Sequence, residues 1–271
     1  MGILLIDGPL GTELNARGIA TPLPLWSAAA LTSAPESIAQ IHREYADAGA
    51  TVHTANTFRT SRRSAGRDWR ALAQTAVALA REAIAPDHRL AGSIAPLEDC
   101  YRPDLSPPKA EAEHQLLADH LAALQVDLLL CETFPHVGEA VAATRAAART
   151  GLEVWTSFTA GPNGDLLTPD DVSRGSEAVL QAGASAVLLN CTAPRIALPF
   201  LARLTPFGVP IGVYANAGQM QDGLGWGDPE APDAYAELAA TWVAAGATII
   251  GSCCGTGPAH TKALAKCLLQ R

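Results

Sequence analysis

A single-domain (β/α)8 barrel is predicted by three features of the sequence. Short runs rich in Val, Ile and Leu alternate about eight times with Ala- and Leu-rich segments of helical period. Several of those segments stop on the same device, a Gly just before the next apolar run. No low-complexity linker divides the 271 residues, so one domain is expected over 1–271. Eight β-then-α units in roughly 250 residues is the size of such a barrel. A doubly wound open sheet is the alternative. It wants G-x-G-x-x-G after the first strand, and Asp7-Gly8-Pro9-Leu10-Gly11-Thr12 does not supply it.

The strands are expected at Ile3–Ile6, Thr51–Thr54, Leu90–Ile94, Asp127–Leu130, Glu153–Thr156, Ala186–Leu189, Ile211–Val213 and Thr248–Ile250. Each run is continuous or nearly so, as for strands covered on both faces. The helices are expected at Pro35–Ala48, Ala71–Ala85, Lys109–Leu124, His136–Arg149, Asp170–Ala182, Arg195–Leu204, Pro232–Ala245 and Pro258–Leu269. Ser33 is a candidate N-cap for the first of these. Gly49, Gly183 and Gly246, each in an Ala-Gly-Ala context, are candidate helix stops. Tyr101–Lys109, with three prolines, reads as a loop inside the domain.

Composition narrows the function. The 19 Lys and Arg against 27 Asp and Glu leave a formal charge of −8. An acidic chain without a cationic stripe is a poor replacement for phosphate counterions, which argues against nucleic acid. The start has no cationic segment before a long apolar run, so no signal peptide is expected. Ile6 stands where myristoylation wants Ser or Thr. No run of about 20 apolar residues predicts a membrane span. Six cysteines, two of them adjacent, are too few for a disulfide framework in this length, so reduced thiols in the cytoplasm are expected.

In such a barrel the chemistry belongs to the loops after the strands, and the unusual residues fall there. Asp7-Gly8 follows the first strand, Asn56-Thr57-Phe58-Arg59 the second, Cys131-Glu132-Thr133 the fourth and Ser157-Phe158-Thr159 the fifth. Asn190-Cys191-Thr192, Tyr214-Ala215-Asn216 and Gly251-Ser252-Cys253-Cys254-Gly255 follow the last three. Convergence of the strands would bring Cys191, Cys253 and Cys254 to one rim. Three thiolates and one open position make a catalytic zinc site, and Gly251 and Gly255 are expected to let the backbone turn so that both late sulfurs face one ion. Burial as small hydrophobes is the alternative, since free Cys is among the most buried residue types. Cys100, Cys131 and Cys267 are read that way. For the adjacent pair, spacing alone leaves both readings open.

Cys after Asn on one strand, then Gly-x-Cys-Cys-Gly about sixty residues later, resembles the homocysteine S-methyltransferase family. The resemblance runs through Asp7-Gly8 to Thr12-Glu13-Leu14, Leu25-Trp26-Ser27-Ala28, Glu132-Thr133-Phe134-Pro135 with Glu139-Ala140, and Tyr214-Ala215-Asn216 with Gly218. It implies a zinc enzyme on a (β/α)8 barrel, moving a methyl group from a sulfonium to the thiol of homocysteine to give methionine. Zinc on Cys191, Cys253 and Cys254 would hold that thiol deprotonated, although a free thiol has a pKa of about 8.5. The donor leaves as a neutral thioether, so no general acid is needed and no His is assigned to the chemistry.

Glu132 follows an apolar run where an unpaired carboxylate is costly, and is the candidate for the substrate ammonium group. Asp7 would act with it, by side chain or main-chain carbonyl. Thr12 and Asn216 are further substrate candidates, and Asn190 is expected to orient the cysteine loop. On the donor side Trp26 and Phe58 offer aromatic faces to a cation. Arg59 departs from the family, whose betaine-using members carry an aromatic there and whose S-methylmethionine users commonly carry Gln. The loop Ala95–Pro108 is shorter than in many relatives, and Thr159–Thr168 is altered. S-methylmethionine is the favoured donor. The alternatives are another acceptor or donor, such as selenohomocysteine or a different onium, a noncatalytic zinc- or thiol-binding regulator, and a sugar-phosphate barrel. The last would want a Gly-rich phosphate loop where this chain places thiols.

Overall fold

A computed structural model describes residues 2–220, 226–227 and 229–269. Eight strands form the central sheet: β1 (Leu4–Leu5), β2 (Val52–Ala55), β3 (Arg89–Ile94), β4 (Leu128–Phe134), β5 (Glu153–Phe158), β6 (Ala186–Asn190), β7 (Ile211–Ala215) and β8 (Ile249–Ser252). They pair in parallel in the order β1-β8-β7-β6-β5-β4-β3-β2. The ends meet at one bridge, Ile6 to Val52, which closes the barrel. The amide of Asp7 donates to the Val52 carbonyl at 2.9 Å, and that of Thr51 to the Leu5 carbonyl at 2.9 Å.

Each strand leads to a helix on the outside: α1 (Pro35–Asp47), α2 (Trp69–Ala83), α3 (Glu111–Ala123), α4 (Val137–Ala148), α5 (Pro169–Gln181), α6 (Ala197–Leu204), α7 (Pro232–Ala244) and α8 (Pro258–Leu269). Alternation along the strands divides the apolar residues into two layers. Ile6, Val52, Ala91, Leu128, Leu130, Trp155, Leu188, Tyr214 and Ile249 fill the barrel. Leu5, Leu90, Leu129, Val154, Val187, Val213 and Ile250 pack outward against the helices.

The three Ala-Gly-Ala stops behave as expected. Gly49, Gly183 and Gly246 have φ of 107°, 114° and 101°. In each case the following Ala amide reaches back to close the turn: Ala50 to Tyr45, Ala184 to Val179 and Ala247 to Trp242, all at 3.0 Å. This satisfies helix-end carbonyls with a left-handed residue that only Gly adopts cheaply.

Three local expectations are corrected. Ser33 does not cap α1. It closes a preceding one-turn helix, Ala30–Ser33, where its hydroxyl donates to the Ala29 carbonyl at 3.2 Å, and Ala34 takes the N-cap position. Gly251 does not turn the chain: a Cβ there would lie 3.0 Å from that of Ile6 and 3.1 Å from that of Tyr214, so it serves close packing inside the barrel. Gly255, at φ 82°, does make the turn. β4 also runs four residues beyond Leu130, through a register shift between Cys131 and Phe134. Polar Glu132 and Thr133 therefore belong to the strand, because the barrel mouth accepts polar side chains that an ordinary core would reject.

Candidate metal centre at the barrel mouth

The cysteine loops are built by backbone bonds between strand ends. The Cys253 amide donates to the Ala215 carbonyl at 2.7 Å, the Ala217 amide to the Cys254 carbonyl at 2.9 Å and the Cys191 amide to the Tyr214 carbonyl at 3.3 Å. The Thr256 hydroxyl donates to the Cys253 carbonyl at 2.7 Å, and the Thr159 hydroxyl to that of Cys191 at 3.2 Å. Below them Tyr235, on α7, places its hydroxyl within 3.1 Å of the Ala215 amide, 2.8 Å of its carbonyl and 3.1 Å of the Gly251 carbonyl. These bonds fix the ends of β6, β7 and β8 relative to one another.

The result gathers three thiols. Cys191 Sγ and Cys253 Sγ each lie 4.0 Å from Cys254 Sγ, and all three fall within 4.8 Å of one another. Cys191 sits at φ 48°, a conformation that costs a non-glycine residue about 1–3 kcal/mol. Trp26 and Thr133 share this property, with φ of 46° and 64°. Three of the four described non-glycine residues with positive φ thus belong to the mouth. The thiols of Cys191 and Cys254 are held well above the ordinary range, first by hydrogen bonding to the neighbouring thiol and then by burial. Crowded sulfurs of this kind cannot all ionise unless a cation joins them, so the arrangement can hold a metal ion.

Glu132 is 8% exposed and faces the same space. Ser93 and Tyr214 donate hydroxyls to its two oxygens, the latter at 3.1 Å. Burial nevertheless raises its pKa. Asn190 ties the rim together: its Oδ1 accepts from the Thr133 amide at 3.1 Å and the Ser157 hydroxyl at 2.7 Å, and its Nδ2 donates to Thr133 Oγ1 at 2.8 Å. Asn216 is fully buried, and neither side-chain polar atom has a partner. Such an amide is costly unless a ligand meets it. Thr12 accepts the Gly255 amide at 3.1 Å and so anchors the cysteine loop. The Asp7 carboxylate is turned toward the helix layer, where Oδ2 accepts the Thr54 amide at 3.0 Å.

Trp26, Phe58 and Arg59 do come together. The Trp26 and Phe58 rings meet edge to face at 5.7 Å, and the Arg59 guanidinium lies 5.4 Å from the Phe58 centroid while donating to the Glu98 carbonyl at 2.9 Å. Cys131 and Cys267 pack against the outer core. Tyr101, in the loop before α3, was not singled out by sequence. Burial, then the field of Cys191 and Cys254, pushes its phenol far above the ordinary value. A Tyr in a Pro-rich loop carries no periodicity that would have flagged it.

Fold and site together define a class: a (β/α)8 barrel with a metal-type thiol cluster where the strands open. The homocysteine S-methyltransferase family model matches residues 4–268. The chain belongs to that family. It is 35% identical to homocysteine S-methyltransferase of Escherichia coli strain K12, over 97% of this chain and 94% of the relative. A selenocysteine methyltransferase of Astragalus bisulcatus is 27% identical, over 97% and 92% of the two chains. The metallated form of the homocysteine methyltransferase MmuM from Escherichia coli superposes with a TM-score of 0.79 at 29% identity, over 97% and 96% of the two chains.

Proposed function

We propose that this protein moves a methyl group from a sulfonium donor, S-methylmethionine in the first instance, to the sulfur of homocysteine, with zinc held by Cys191, Cys253 and Cys254. One observation carries the reading: three sulfurs from β6 and β8 stand 4.0 Å and at most 4.8 Å apart in the barrel mouth. Tetrahedral zinc with Zn–S of 2.3 Å separates its sulfurs by about 3.8 Å, so small side-chain adjustments suffice. Bound by these three cysteines, zinc would supply Lewis-acid activation of the acceptor thiol, lowering its pKa so that it reacts as the thiolate. The relative described in metallated form supports the same assignment.

The remaining work falls to the chain's own groups. The Glu132 carboxylate, short of a cation, binds the acceptor's ammonium, which relieves the cost of its burial. The Asp7 side chain is already engaged, so Asp7 serves through its main-chain carbonyl. Asn216 offers both an N–H donor and an oxygen acceptor to the amino-acid end of the substrate. Thr12 and Asn190 keep the cysteine and Glu132 rims in register. Trp26 and Phe58 present aromatic faces to the positive donor, and Arg59, tethered to Glu98, reaches its carboxylate. The new S–C bond forms as the donor S–C bond breaks, and the donor departs as an uncharged thioether. The charge balance is met by loss of the acceptor's thiol proton to solvent, so no side-chain acid is required.

The selenocysteine methyltransferase relative supports a second reading, a selenol acceptor on the same centre. A donor panel with homocysteine and its selenium analogue, following the methylated product, tests both. Product from S-methylmethionine that is lost on Cys254→Ser supports the proposal, and equal turnover by a metal-free Cys254→Ser protein ends it.

A further inference from the structure

A second group of metal-type donors lies outside the thiol centre. Asp7 Oδ2, His42 Nδ1 and His53 Nδ1 converge at the seam where β1 meets β2: the carboxylate oxygen is 3.9 Å from His42 and 3.8 Å from His53, and all ligand atoms fall within 4.8 Å of one another. Exposure is 2% for Asp7 and 0% for both histidines. Both ring nitrogens of His42, and Nδ1 of His53, have no hydrogen-bond partner. A buried carboxyl group facing buried imidazole nitrogens that lack hydrogen-bond partners is an expensive arrangement.

The geometry points to a second divalent-cation site, a structural clasp of zinc class on Asp7, His42 and His53. The donor set, two imidazoles and a carboxylate, suits such an ion. Zinc about 2.0–2.1 Å from each donor separates them by about 3.4 Å, so the carboxylate oxygen, at 3.9 and 3.8 Å from the two rings, needs to move by about half an ångström, and the two imidazoles close from a separation within 4.8 Å by side-chain rotation. His53 Nε2 lies 3.1 Å from His88 Nδ1, and the tautomer with its proton on Nε2 turns the Nδ1 lone pair toward Asp7, as a metal-binding imidazole requires. The position gives the ion a task. Neighbouring strands elsewhere around the barrel share ladders, whereas β1 and β2 are joined by the single Ile6–Val52 bridge. A cation there ties the end of β1, β2 and α1 together.

Cobalt(II) titration of the zinc-stripped full chain, followed by metal analysis after dialysis against a weak chelator, tests this. About two ions per chain are expected. The first should bring thiolate-to-cobalt charge-transfer bands, and the other visible bands with no growth in charge transfer. Cys254→Ser should keep about one ion without charge transfer. His53→Gln should lose about one ion, keep the charge-transfer bands and unfold at a lower temperature in the presence of metal. A wild-type protein that binds only the thiolate-ligated ion overturns the proposal, even if the variant fails to fold, and leaves a bridging buried water as the occupant of the seam.

Discussion

At the scale of single residues, the mouth separates charge from sulfur. Glu132 holds a buried carboxylate among hydroxyl donors, and the thiols cluster without a cationic side chain among their hydrogen-bond partners. If Glu132 receives the ammonium group, Glu132→Gln should raise KM for homocysteine by the cost of an unpaired buried charge, about 2–5 kcal/mol. The loss should be much smaller for an acceptor thiol without an amino group. Steady-state kinetics with the two acceptors checks this, and an equal loss with both would assign Glu132 to the structure of the barrel instead. At the metal, Cys191→Ser should reduce bound zinc in proportion to methyl transfer, measured as metal content and product in the same samples. Gly11 belongs to this scale too. A Cβ at position 11 would lie 2.2 Å from the Trp26 ring, so Gly11→Ala should displace that indole and weaken donor use more than acceptor use. A donor KM unchanged in that variant would remove Trp26 from the donor site.

Elements come next, and there the repeated helix stop allows a controlled comparison. Gly246 and Gly183 share the left-handed conformation, yet a Cβ on Gly246 would meet nothing closer than 3.7 Å, whereas one on Gly183 would lie 2.7 Å from the Cβ of Ala148. Gly246→Ala should therefore cost only the backbone penalty, about 1–2 kcal/mol, and Gly183→Ala more. Urea midpoints of the two variants measure the difference. The loop between β3 and α3 hangs on Glu139, which accepts from the Leu97 amide at 2.8 Å and the Ser106 hydroxyl at 2.6 Å and meets His114 Nε2 at 3.2 Å. Burial raises its pKa, but the bonds from His114, Leu97 and Ser106 outweigh that and hold it below the ordinary value. A carboxyl with a depressed folded-state pKa contributes stability that is complete above its unfolded pKa, near 4.3, and is lost as pH falls through the folded value. Acid should therefore loosen this loop, and Glu139→Gln should flatten the acid limb of a stability–pH curve. A limb unchanged in the variant would show that other carboxylates set it.

For the whole molecule, ion binding and folding are coupled. Ligands from β6 and β8 meet only in the closed barrel, so an ion that binds there stabilises the folded state by RT ln(1 + [L]/Kd). Chelation should lower the unfolding temperature and abolish methyl transfer together, and zinc should restore both. Calorimetry with and without a chelator measures this. An unfolding temperature indifferent to zinc would mean that the thiols hold no ion under those conditions. Among the described residues no helix is long and apolar enough to cross a membrane.

Read along the chain, the order of elements and most of their limits were legible, because hydrophobic period and Gly stops are local properties. Strand order brought loops six and eight to one rim, but it left the adjacent cysteines open between a metal set and buried small hydrophobes until the Asn-Cys and Gly-x-Cys-Cys-Gly resemblance favoured the first, and the structure gathers the three thiols. Folding decided what depends on which face a strand end presents and on distance between remote groups. Glu132 and Thr133 became strand residues because the barrel interior is polar at its mouth. Gly251 proved to be a packing glycine, Thr12 and Tyr235 proved to be ties for the cysteine loops, and Asp7 turned its carboxylate toward His42 and His53. These are outcomes of three-dimensional proximity between segments tens to hundreds of residues apart, and no one-dimensional pattern encodes a separation in ångströms.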